Sequence, residues 1–144
     1  MSLFSLHRFF TLFARVGEKS VVFSILYMVL ISLLSSIPDN DSTVVSSFLQ
    51  MLDPTLQNML HIPLFGGLAL LWVLSLHNWP LAEKSVLYAG FIISSIYSLV
   101  DEAHQFLVPG RYPGLIDIIL NNIGVTLAVL WCYYSPNQVE SRED

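Results

Sequence analysis

Asp101, Glu102, His104 and Gln105 stand within one five-residue run, and Arg111 follows six residues later. Asp117 and Asn121 come next, four residues apart, while His61 lies far upstream. Side chains of these types can do three kinds of chemistry. A guanidinium grips a phosphate or carboxylate in two-pronged fashion. Gln105, Asn121 and His61 could then supply orienting hydrogen bonds to a polar head group. An imidazole with carboxylates can hold Zn²⁺ or Mn²⁺, which makes His61, Glu102, His104 and Asp117 the ligand-capable set. His104 beside an acid can also serve as a general base, so Glu102 and His104 are the catalytic candidates. A plainer reading is a satisfied polar network, with Arg111 paired to Asp101, Glu102 or Asp117 and helix register fixed by it. No HExxH or comparable ligand signature occurs in the chain, and no motif specifies a cofactor.

These residues belong to a chain that is otherwise apolar. Of 144 residues, 54% are hydrophobic and 12% charged, and the mean hydropathy is +0.64. Soluble domains carry about 25% charged residues, so this chain lacks the charge to cover a water-facing surface. Its length suits one domain. The net charge of −5 leaves no basic patch for nucleic acid. The single Cys132 excludes an internal disulfide framework and any CxxC motif.

The apolar runs predict an all-α polytopic membrane protein, a four-transmembrane-helix bundle with short interfacial helices. Residues 1–19 read as a cytoplasmic basic amphipathic arm, with Arg8, Arg15 and Lys19 among phenylalanines. Residues 20–134 form the membrane domain, and 135–144 a cytoplasmic polar tail. The first span runs from Ser20 to Pro38. Asp39 to Asn58 is a polar connection in which Val44, Val45, Phe48, Leu49 and Leu52 recur at helical spacing behind Ser42, a short interfacial helix. Thr55 to Trp79 holds the second span, with Pro63 in its first turns, where proline is tolerated. Gly66-Gly67 predicts close approach of a neighbouring backbone. The third span begins at Ser85 and the fourth ends at Tyr134. Both reach the roughly 20 residues needed to cross a bilayer only if Asp101 to Gln105 and Asp117 to Asn121 are helical too.

Four crossings put five of the six Lys/Arg residues on one side, with Arg111 alone on the other. The positive-inside rule makes the five-residue side cytoplasmic, so both termini are inside and Arg111 faces out. His61, the Asp101 run, and the Asp117–Asn121 pair then share the outer end of the bundle. Asp101, His104 and Gln105 share a helical face that Tyr97 and Ser94 continue inward. Asp117, Asn121 and Gly124 form a second stripe, and Gly124 would let the third helix approach it closely.

The combination Asp101-Glu102-x-His104-Gln105, Pro109-Gly110-Arg111 and Asp117-x-x-x-Asn121-x-x-Gly124 resembles the VanZ-like family of small bacterial integral membrane proteins. His61 followed by Phe65 and Gly66-Gly67 is similar to the second-helix signature of that family. Asn58 stands where the family often has a basic residue before this histidine. The resemblance implies a multi-pass protein of the bacterial inner (plasma) membrane. It also implies a link to teicoplanin, since the founding member is associated with low-level resistance to that glycopeptide. It supplies no reaction.

Three functions follow as expectations. The first is a binding protein whose outward pocket, His61, Asp101, Glu102, His104, Gln105, Arg111, Asp117 and Asn121, takes a membrane lipid head group, a lipid-linked cell-wall intermediate or a glycopeptide. The second is a membrane-embedded hydrolase or transferase acting on a lipid-linked substrate, with or without a metal. The third is a structural subunit of a larger membrane assembly.

Overall fold

A computed structural model of the chain describes residues 17–38, 51, 53–112 and 114–134. Among these, all regular structure is helical. A 3₁₀ turn over Gly17–Ser20 leads into α1 (Val21–Ser35), followed by α2 (Pro54–Met59), α3 (His61–Leu76), α4 (Glu83–Gln105) and α5 (Leu115–Tyr134). The arm before Gly17, the helix expected around Val44 to Leu52 (Met51 apart) and the tail after Tyr134 lie outside the described residues.

Among the described residues, three helical stretches are long and apolar enough to cross a membrane: Thr55–Leu76, Glu83–Gln105 and Leu115–Tyr134. The last two include Asp101 to Gln105 and Asp117 to Asn121, as full spans require. The first apolar helix is shorter than its 20–38 run. Gly17 has φ +62° and opens the 3₁₀ turn, so α1 begins only at Val21. Proline at 38 disfavours helical backbone at Ile37, and α1 ends at Ser35. Its 15 residues rise about 22 Å, less than a hydrocarbon core of about 30 Å.

The second span is one helix with a flaw. The Leu60 amide donates to Leu56 O and the Leu64 amide to Leu60 O, so α2 runs on into α3. Pro63 has no N–H to offer Met59, which puts the break at Leu60. Pro63 is the third residue of α3 and so lies in its first turn, as expected. Asp53 caps α2, its Oδ1 accepting from Thr55 N at 2.8 Å, with Pro54 in the first turn.

Short turns make neighbours antiparallel. Ser24 pairs with Ser75, Ser32 with Tyr97 and Ser35 with Asp101. The end of α1, the start of α3, the end of α4 and the start of α5 therefore meet at one end of the bundle. Phe65, Leu68, Ala69, Tyr97 and Val125 fill the core with Ile31 and Ala128. The opposite flank of α1 leaves Val22, Leu26, Val29 and Leu33 exposed, which suits lipid.

Closest approach is between α3 and α5, where Gly66 faces Gly124. A Cβ at Gly124 would overlap the Ile62 carbonyl oxygen and stand 2.9 Å from the Ile62 carbonyl carbon. The neighbour that Gly124 admits is thus the second span, not the third. The reason is packing: two glycines in register let two parallel backbones touch.

Candidate functional site

The buried face of α4 is Ser94, Tyr97, Ser98, Asp101, Glu102 and Gln105. These recur three and four residues apart, so one stripe carries the polar groups into the bundle and up to its end. The Val108 carbonyl accepts from Arg111 N across Pro109-Gly110, and Gly110 has φ +82°. Proline second and a left-handed glycine third are what a type II turn requires. This turn starts the reversal that brings Gly114 and α5 back beside α4.

Asp101 is 1% exposed. Its Oδ2 accepts from Ser35 Oγ and from Gln105 Nε2, each at 2.9 Å. Glu102 is 6% exposed, and its Oε1 accepts from the Gly114 amide at 2.5 Å. That amide lies just ahead of α5, where a helix N-terminus favours negative charge. Oδ1 of Asp101 and Oε2 of Glu102 are buried and accept no hydrogen bond from any described residue. Buried polar groups are nearly always partnered, so both oxygens need an explanation.

Asn121, fully buried on α5, joins three helices. Its Nδ2 donates to Ser98 Oγ at 3.0 Å, and its Oδ1 meets His61 Nδ1 at 2.9 Å. The amide oxygen can only accept, so Nδ1 of His61 carries a proton. His61 stacks on Phe65, and Phe65 packs on Tyr97. Tyr97 donates to the Met28 carbonyl, so Ser32 donates to Tyr97.

His104 leaves this centre. Its Nε2 meets Ser36 Oγ at 2.8 Å, and Ser36 already donates its one proton to the Ser32 carbonyl. Nε2 of His104 is therefore the donor. Arg111 donates from Nε to the Ile37 carbonyl at 3.1 Å. No ion pair joins it to Asp101, Glu102 or Asp117 among the described residues, so the paired-arginine network does not form with these acids. Asp117, half-buried in the first turn of α5, lies with His61 and Asp101 inside electrostatic reach of Glu102.

All eight predicted residues thus come to one end, in two groups. His61, Asn121, Glu102 and Asp117 gather where α3, α4 and α5 meet. Asp101, Gln105, His104 and Arg111 gather toward the end of α1. Among the described residues no three His, Cys, Asp or Glu side chains form a group that could hold a metal ion. The set His61, Glu102, His104 and Asp117 is divided because the two histidines turn to different helices.

Sequence reasoning missed Ser32, Ser35 and Ser36 of α1, Ser98 of α4 and the Gly114 amide. The serines had a signal: three hydroxyls at 32, 35 and 36 share one face of an otherwise apolar helix. The amide had none, because a backbone N–H carries no residue identity.

The family model described as VanZ/LLP1 matches residues 2–135. No curated protein and no solved structure matches the chain. The match runs through every helix and all eight site residues, and the chain belongs to the VanZ/LLP1 family of membrane proteins.

Proposed function

We propose that this protein binds the polar head group of an envelope lipid at the end where α1, α3, α4 and α5 meet. The observation that carries this is the pair of buried acids, each with one oxygen that no described residue donates to. Carboxylates removed from water cost several kcal/mol unless hydrogen-bonded or paired. A ligand that donates to them would lower that cost. Arg111, half-buried at the same end, places there the positive charge that a phosphate or carboxylate pairs with. The charge asymmetry supports placing this end outward in a bacterial plasma membrane with both termini cytoplasmic. A lipid-linked cell-wall intermediate or the glycopeptide teicoplanin would meet the same groups, and a resistance role would follow from either.

Native mass spectrometry of the protein released from nanodiscs tests the reading. Wild-type protein should keep head-group-selected lipid, and Arg111→Ala should lose it while circular dichroism stays unchanged. Equal retention of all lipids by both proteins would overturn it. Added teicoplanin, or a lipid-linked cell-wall intermediate in the nanodisc, should displace the retained lipid if either is the true ligand.

A further inference from the structure

Asp101 and Glu102 are neighbours on α4, 1% and 6% exposed. Each is satisfied on one oxygen. Ser35 and Gln105 hold Oδ2 of Asp101, and the Gly114 amide holds Oε1 of Glu102. The remaining oxygens are buried and unpartnered among the described residues. Neither acid forms an ion pair there. Two like charges in a low-dielectric setting oppose each other's burial, and Asp117 adds a third within reach of Glu102. The helix dipole of α5 offsets part of one charge only.

A positively charged donor would satisfy both oxygens. Among the described residues no three His, Cys, Asp or Glu side chains gather to hold a metal ion. A primary ammonium is compact, carries three N–H donors and needs only a few acceptors. We propose that Glu102, with Asp101 behind it, receives the ammonium group of an amine-bearing ligand. This rests on the head-group reading and names the chemistry of that group. Ser35, which holds Asp101, lies two residues from Ile37, whose carbonyl holds Arg111. Asp101 and the Arg111 guanidinium therefore flank one end of α1, and Glu102 is the next residue along α4. A head group that carries both an anion and an amine would meet both kinds of group.

The test compares three lipids of identical acyl chains in nanodiscs: phosphatidylethanolamine, its N-acetylated form, and phosphatidylglycerol. Retention is read by native mass spectrometry. Wild-type protein should hold the amine lipid at least about tenfold over both others, in line with a charge-assisted hydrogen bond. Glu102→Gln should bring that ratio close to one. Asp101→Asn should lower it if the first variant does not fold, and the N-acetylated lipid tests the point without any mutation. Soluble ethanolamine forms a separate arm. Displacement of the lipid by it means that the amine alone suffices, and no displacement means that a lipid-borne amine is required. Equal retention of all three lipids, abolished by Arg111→Ala, overturns the ammonium and leaves head-group binding standing. Retention of none overturns both.

Discussion

Gly124→Ala is the sharpest test of how this bundle is held together. The new Cβ would lie 2.9 Å from the Ile62 carbonyl carbon, 3.0 Å from its Cα, and closer still to its oxygen. All three atoms are backbone, so no side-chain rotation relieves the clash. Ordinary contact begins near 3.4 Å, and the oxygen is the nearest atom, so α3 and α5 must part by roughly 1–1.3 Å at this level. Overpacking of that kind costs about 1–3 kcal/mol. The better helix propensity of alanine offsets about 1 kcal/mol at most, leaving a net loss of up to about 2 kcal/mol. Ile62 adjoins His61, and Asn121 lies one turn from Gly124. The separation should therefore stretch the 2.9 Å His61–Asn121 bond toward the limit beyond which it no longer counts as one. Equilibrium unfolding in mild detergent titrated with dodecyl sulfate measures the loss. Gly67→Ala is the control, because its Cβ meets only the side chain of Tyr27, whose hydroxyl is 2.9 Å away and can swing aside. If Gly124→Ala unfolds no earlier than wild type, or no earlier than Gly67→Ala, the backbone contact does not hold the two helices.

Asn121→Ala should cost about 1–3 kcal/mol in the same titration, because it strands the His61 Nδ1–H and the Ser98 hydroxyl inside the bundle. Tyr97→Phe should cost about 0.5–1.5 kcal/mol by removing the bonds to the Met28 carbonyl and Ser32; a melting temperature equal to wild type would contradict this. Asp53 is held below its ordinary 3.8, chiefly by its side-chain hydrogen bond with Thr55. A carboxyl lowered in the folded state stabilises above its unfolded value, and that contribution disappears as pH falls through the folded value. The difference in Thr55 amide protection between wild type and Asp53→Ala should thus be constant above about pH 5 and vanish at the acid end. A difference that persists in strong acid would rule out the carboxylate cap.

The order of the four long apolar helices was legible in the chain. Apolar length, the Pro-Gly turn at 109–110 and the i, i+4 polar stripes at Asp101–Gln105 and Asp117–Asn121 are properties of the chain itself. Each follows from helix rise, helix period and the backbone limits of proline and glycine. They set the all-helical bundle, drew α4 and α5 out to full spans and sent eight polar residues to one end.

Tertiary structure alone chose the partners. His61 turns to Asn121 while His104 turns to Ser36. Gly124 admits α3 where its stripe pointed toward the third span. Arg111 serves the Ile37 carbonyl, and the Gly114 amide serves Glu102. The physical reason is that periodicity fixes which residues share a face of one helix. Which neighbour that face meets depends on the order of helices around the bundle and on the rotation of each, and those are set only when all the helices pack at once.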